Sequence, residues 1–171
     1  GILSFKDTVK VIKKRGDEMN RAAAQTQSGM AAIMGKAPAE IETLLAPYQN
    51  DPVVIANYNC PGQIVISGEK TALEKACADL KNDGAKVIPL PVSGAFHSPL
   101  MKPASVALET YLNEFEFSDA KTPIILNRTA NKETSKSNLK ENISKQVISS
   151  VQWIKSIEEM SKEVDIILEC G

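Results

Sequence analysis

Apolar positions change their spacing along the chain, and this spacing predicts alternating helices and strands. The first segment predicts a helix that Ser4 caps, with Asp7 three positions later as in a capping box. Gly16 lies within this helix and costs it about 1 kcal/mol relative to Ala, which indicates a closely packed backbone beside it. The apolar stripe that we expect in the core comprises Phe5, Val9, Ile12, Met19 and Ala23.

Residues 28–92 show the pattern of a complete βαββαβ unit. Short apolar runs predict strands at 29–35, 53–58, 64–66 and 85–90, separated by helices at 38–45 and 69–82. Cys60-Pro-Gly62 predicts a tight turn between the two central strands. This order is the ferredoxin-like arrangement, so we expect four antiparallel strands with both helices on one face.

The remaining residues predict a larger α/β layer around this unit. Helices are expected at 100–115, 138–147 and 151–162, with apolar strands at 123–126 and 164–168. Alternating strands and helices predict a mostly parallel sheet, built by residues 1–27 and 93–171, into which the subdomain 28–92 is inserted. The chain begins without Met and ends after an apolar run, so we expect a segment of a longer protein.

Composition excludes several classes of protein. The 171 residues are 43% hydrophobic and 24% charged with a net charge of -1, so we expect a globular protein whose main partner is neither nucleic acid nor a membrane. No apolar run has the length of a membrane span, no signal peptide opens the chain, and no residues have the spacing of a metal site. Three cysteines, Cys60, Cys77 and Cys170, favour reduced thiols in the cytoplasm.

His97 is the only histidine and lies between a predicted strand and the next helix. Its side chain titrates near neutral pH, so it is the first candidate for a general acid or base, although a polar surface residue is the alternative. Ser98 caps the following helix with Pro99 as its first residue, and we expect the positive helix end to lower the pKa of His97. Arg15 follows two lysines, a pattern that by itself is typical of a solvated basic face.

Three separated motifs occur in order along the chain: Ala56-Asn-Tyr-Asn-Cys-Pro-Gly-Gln-Ile-Val-Ile-Ser-Gly68, the run from Leu90 through Phe96-His-Ser-Pro99 to Ala104, and Ser150-Val-Gln-Trp-Ile-Lys-Ser156. Together they resemble the malonyl-CoA:acyl carrier protein transacylase family of fatty acid synthesis. Lys14-Arg-Gly-Asp-Glu-Met19 resembles the helix bearing the carboxylate-binding Arg, and Glu169-Cys-Gly171 resembles the start of the family's Glu-x-Gly-Pro-Gly ending. The resemblance implies an α/β-hydrolase-like acyltransferase core with an inserted ferredoxin-like subdomain.

The resemblance also implies transfer of a malonyl group from coenzyme A to the phosphopantetheine thiol of acyl carrier protein, by a ping-pong Ser-His mechanism without a bound cofactor. The family's nucleophilic Ser lies in a Gly-x-Ser-x-Gly elbow before the helix that starts near Ser4, and this motif does not occur in the chain. We therefore expect the chain alone to be inactive. In the family the His is oriented by a main-chain carbonyl, for which the matching position is Gln152; a polar residue at a helix start is the alternative there.

Five residues correspond to the family's substrate pocket. Arg15 would pair its planar guanidinium with the malonyl carboxylate, and Phe96 would crowd a substituent on the α-carbon of the acyl group. Met19, one helical turn after Arg15, would line the same pocket or belong to the core. Asn57 and Asn59 correspond to the loop beside the pantetheine, although turn formation explains them equally well.

Two other functions fit parts of the pattern. One is the acyltransferase domain of a modular polyketide synthase, which neighbouring domains would reveal. The other is a non-enzymatic ferredoxin-like ligand-binding module, which leaves the His97 loop and the Arg15 helix unexplained.

Overall fold

The computed structural model describes residues 1–48 and 50–169, which contain six α-helices and six strands. The elements are α1 Phe5–Ala23, β1 Ser28–Met34, α2 Pro38–Leu45, β2 Val54–Cys60, β3 Gln63–Glu69, α3 Lys70–Asn82, β4 Lys86–Pro89, α4 Lys102–Leu112, β5 Ile124–Ile125, β6 Lys132–Glu133, α5 Lys136–Lys145 and α6 Trp153–Ser161. Short 3-10 helices lie at Ala46–Tyr48, Pro99–Met101 and Gln146–Ile148. Across the described ranges, no helix has both the length and the apolar character needed to cross a membrane.

The first four strands form an antiparallel sheet in the order β2-β3-β1-β4. β2 and β3 form the expected hairpin, and Gly62 takes the positive φ of 80° that its turn requires. α2 and α3 pack on one face of the sheet, where Ile41 and Leu80 join Ile33 and Ile66 in one buried cluster. The predicted four antiparallel strands, the central hairpin and the placement of both helices on one face are therefore confirmed.

A second core lies between α1, α4 and the 3-10 helix Gln146–Ile148. Met19, Met101, Leu108 and Val147 are buried in it. The opposite face of the sheet carries a smaller cluster around Met30, Ala56 and Val65. Phe96 contacts both clusters, so the loop that holds it lies where the sheet meets the helices.

The prediction that the whole apolar stripe of α1 is core is wrong for its first half. Phe5, Val9 and Ile12 are 86%, 49% and 63% exposed, because no described element covers them. The buried residues of α1 are Val11, Glu18, Met19, Ala22 and Ala23. Apart from Gly16, its chain neighbours and the nearby backbone of α1, no described atom lies within 4 Å of where a Cβ would stand on Gly16, so the close approach of another backbone is absent there.

The predicted parallel sheet does not form within the described residues. β5 pairs antiparallel with β6, which lies between the strand expected at 123–126 and the helix expected at 138–147. Residues 164–168 do not form the expected strand. A strand needs a neighbour for its backbone hydrogen bonds, and Ile166 and Leu168 are exposed with no such neighbour. The helix expected at 100–115 divides into Pro99–Met101 and α4, which ends at Leu112. Cys170 and the last two residues of the Glu169–Gly171 motif lie outside the described residues.

Candidate active site

His97 lies in a constrained loop between β4 and the 3-10 helix Pro99–Met101. Its φ is +58°, a left-handed conformation that costs a non-glycine residue energy and that the surrounding structure must hold. Gly94 packs directly on α1: a Cβ there would stand 2.5 Å from Cβ of Ala23. Ser98 is fully buried, and its hydroxyl accepts a hydrogen bond from Leu100 N, so the predicted cap is confirmed.

Two backbone carbonyls orient the imidazole of His97. Its Nδ1 lies 3.0 Å from the carbonyl oxygen of Gln146 and 3.1 Å from that of Ser149. A carbonyl can only accept a hydrogen bond, so we assign the proton of the neutral ring to Nδ1. Nε2 then carries the free lone pair, which is the form that a general base requires.

The pKa of His97 lies below its ordinary value of 6.5, mainly because burial disfavours the charged imidazolium. The hydrogen bonds to the Gln146 and Ser149 carbonyls oppose this shift, and the positive charge of Arg15 adds to it. The direction agrees with the prediction, but burial and not the helix end is the main cause. At pH 7 the ring is therefore neutral.

Arg15 lies on the buried stripe of α1, one turn after Val11 and one turn before Met19. It is half-buried, and burial lowers the pKa of its guanidinium below the ordinary value. Lys14 and Arg21 both contact Glu18, whereas Arg15 makes no salt bridge with any described residue. A half-buried cation near His97 without an acidic partner is suited to bind an anion.

The other residues expected to line the substrate pocket are Met19, Phe96, Asn57 and Asn59, and they lie in different parts of the fold. Met19 is buried in the core between α1 and α4, so its packing role is clear. Phe96 is partly buried beside His97. Asn57 and Asn59 belong to the irregular part of β2, where the register shifts between Ile55 and Asn57 and between Tyr58 and Cys60. The side chain of Asn59 donates to Gln63 across the hairpin, at 3.4 Å.

The expectation that the Gln152 backbone orients His97 is wrong. Gln152 is the N-cap of α6, and its carbonyl accepts hydrogen bonds from both N and Oγ of Ser156. The carbonyls that the ring contacts belong to Gln146 and to Ser149, which lies three residues before Gln152. The segment in between is attached to β2, because Ser150 Oγ donates to Ile55 O at 2.6 Å and Val151 forms a parallel bridge with Asn57.

The amino-acid sequence does not reveal two residues of the site, Gln146 and Ser149. They act through main-chain oxygens, which leave no signature in side-chain type. The only local indication is the fully buried Val147, which follows Gln146 and fixes the 3-10 turn that presents these carbonyls. In the described part of the chain, no group of three or more His, Cys, Asp or Glu side chains could hold a metal ion.

Comparison with known proteins identifies the family. The model of the acyl transferase domain family matches residues 1–168. The chain belongs to the acyl transferase domain family. The match includes both the Arg15 helix and the His97 loop, so these two features are parts of an acyl transferase domain.

Individual members of the family show which acyl transferases this chain is similar to. The chain is 41% identical over 174 residues to the malonyl CoA-acyl carrier protein transacylase of Staphylococcus aureus (strain MRSA252), with 99% of this chain and 56% of the relative covered. Its fold is similar to the crystal structure of an acyl carrier protein S-malonyltransferase from Vibrio cholerae O1 biovar eltor, with a TM-score of 0.92, 36% identity and coverage of 95% of this chain and 54% of the other. Its fold is also similar to that of a chain in the structure of a type II PKS acyl-carrier protein in complex with its malonyl-transacylase, with a TM-score of 0.90, 32% identity and coverage of 95% of this chain and 53% of the other. The chain thus spans about half the length of these proteins.

Proposed function

We propose that this chain is part of an enzyme that transfers a malonyl group from coenzyme A to the phosphopantetheine thiol of acyl carrier protein. The observation that supports this most directly is that a neutral His97, oriented by two carbonyls, and the half-buried cation Arg15 occur in the same region. In the proposed division, residues 28–92 form a ferredoxin-like subdomain, and residues 1–27 and 93–171 belong to an α/β-hydrolase-like subdomain. A free-standing ligand-binding module is disfavoured, because the family match extends well beyond residues 28–92.

In the proposed reaction, His97 moves a proton in each half. A serine from the part of the relatives' length that this chain does not span attacks the malonyl thioester, and Nε2 of His97 accepts its proton. The carbon-sulfur bond then breaks, and the imidazolium returns the proton to the coenzyme A thiolate. In the second half, Nε2 accepts the proton of the phosphopantetheine thiol, the thiolate attacks the malonyl-serine ester, and the serine leaves with that proton.

Arg15 has the proposed role of holding the free malonyl carboxylate. Its guanidinium can donate two parallel hydrogen bonds to a carboxylate, a geometry that an ammonium group cannot reproduce. Phe96 has the proposed role of limiting the size of the substituent on the α-carbon of the acyl group. It directly precedes His97 in the chain, and its ring packs against two buried clusters. Asn57 and Asn59 remain proposed contacts on the pantetheine side.

The proposed enzyme needs no bound cofactor or metal, since the carrier protein supplies the phosphopantetheine arm. Its proposed partners are malonyl-CoA and acyl carrier protein. The names of the similar Vibrio cholerae enzyme and of the type II PKS complex both mention an acyl carrier protein. Cys60 and Cys77 are free thiols, which favours the cytoplasm as its compartment.

The test uses the intact protein, in which these residues are joined to the rest of the acyl transferase domain. Malonyl-CoA and holo acyl carrier protein are mixed with it, and malonyl-carrier protein is measured by mass spectrometry. Rapid malonyl transfer is expected. Failure to malonylate the carrier protein, with a correctly folded enzyme, would contradict the proposal.

A further inference from the structure

A side-chain hydrogen bond links the loop that presents His97 to the antiparallel sheet. Ser28, the first residue of β1, accepts a hydrogen bond at Oγ from Ala95 N, at 3.0 Å. The two residues are 67 positions apart in the chain, so this contact joins the sheet to the His97 loop directly.

The same peptide region is fixed from its other side. Ser98 Oγ donates to the carbonyl oxygen of Ala95 at 2.6 Å, and both residues are fully buried. Ala95 therefore has its N–H and its carbonyl each bonded to a serine hydroxyl. A buried N–H without a partner is costly, so loss of the Ser28 hydroxyl would favour rearrangement of the loop.

The conformation of His97 depends on this attachment, because its φ of +58° is unfavourable for a side-chain-bearing residue. The ring must also reach two carbonyls that lie on a separate segment, itself attached to β2 through Ser150 and Val151. The sheet thus holds both halves of the arrangement: β1 holds the loop, and β2 holds the carbonyls.

We propose that Ser28 is a positioning residue for His97, whose hydroxyl fixes the Ala95 peptide and so keeps the imidazole against the Gln146 and Ser149 carbonyls. The importance of this role for catalysis rests on the proposed function, in which His97 is the base. The positioning itself is a property of the chain and can be measured without any activity.

The experiment uses the intact protein with ¹⁵N-labelled histidine. The signals of His97, the only histidine among these 171 residues, are assigned by their loss in His97→Ala. In the wild-type protein, ¹⁵N NMR is expected to show Nδ1 of His97 protonated and Nε2 bare. Ser28→Val, which lacks the hydroxyl, is expected to give a mixture of tautomers and a pKa for His97 that moves up toward 6.5. Ser28→Thr has the same shape as Ser28→Val but keeps the hydroxyl, and it is expected to retain the wild-type spectrum.

Ser67→Ala is the matched control, because Ser67 lies across from Met30 in the same sheet and its buried hydroxyl has no partner. It should leave the imidazole signals unchanged. If Ser28→Val does not fold, as judged by circular dichroism, Ser28→Ala provides the same comparison without added volume. A wild-type tautomer in a folded Ser28→Val or Ser28→Ala chain would overturn the proposal, while leaving the catalytic role of His97 intact. Conversely, an intact enzyme that works without His97 would refute the proposed function and leave the tautomer result standing.

Discussion

Replacement of Arg15 by Ala in the intact protein should change the acyl preference far more than it changes folding. Arg15 is half-buried and has no acidic partner among the described residues, so its removal leaves no protein carboxylate unpaired. A hydrogen bond to a charged group contributes about 1.5–3 kcal/mol, and two in a partly exposed fork should contribute roughly 2–4 kcal/mol together. At about 1.4 kcal/mol per factor of ten, kcat/KM for malonyl-CoA should fall roughly 30- to 1000-fold.

Acetyl-CoA has no carboxylate, so its transfer should be almost unaffected, and the malonyl-to-acetyl ratio is the decisive quantity. Arg15→Lys, which keeps the charge but not the planar fork, should give an intermediate ratio. Arg21→Ala is the matched control, since Arg21 lies on the same helix with its side chain 73% exposed. A ratio in Arg15→Ala equal to that of the wild type would show that Arg15 does not bind the carboxylate.

Three further changes test other parts of the structure. Gly94→Ala should destabilise the chain by about 1–3 kcal/mol because its Cβ would contact Ala23, and adding Ala23→Gly should relieve much of this loss. Thermal unfolding measures both single variants and the double variant, and simply additive changes in stability would refute the close contact. Ala130→Gly should stabilise the chain by about 0.5–1 kcal/mol, because Ala130 has a φ of 57° and glycine avoids that strain; a melting temperature at or below the wild-type value would contradict this. Phe96→Ala in the intact protein should raise the ratio of methylmalonyl to malonyl transfer, and an unchanged ratio in competition assays would remove Phe96 from the specificity pocket.

Residues 28–92 were predictable because independent local signals agree there. Gly62 marks the hairpin turn, Pro38 begins α2, and the stripe that includes Leu73 and Leu80 gives α3 one buried face. Each signal depends on neighbours close in sequence. Agreement among such signals is sufficient to specify strand order in a small unit.

Residues outside this unit were predicted less well, because burial and strand pairing depend on distant partners. The spacing of Phe5 and Val9 indicates a helix but not which face of it another element covers. The apolar run at 164–168 indicates an extended segment but supplies no neighbouring strand. Both errors arise from treating an apolar pattern as proof of a partner.

Residues of the candidate site also differ in how well the sequence predicts them. His97 and Arg15 were found from side-chain chemistry and from family resemblance, and the structure provides a neutral ring and a half-buried cation at these positions. The carbonyls of Gln146 and Ser149 were not found, because every residue has a carbonyl and only the fold selects which ones face the ring. The hydroxyl of Ser28 was missed for a similar reason, since its partner Ala95 is far away in sequence.

The most direct test of the central claim is the rate of acylation of the intact enzyme when His97 is replaced by Ala. The pre-steady-state transfer of malonyl from malonyl-CoA to the enzyme is followed by rapid quench at pH 7, where the partly buried ring of the wild type is neutral. Loss of a positioned general base should slow this step by about 10²-fold or more, with little change in thermal stability. Acylation of the His97→Ala enzyme at the wild-type rate would show that His97 is not the base.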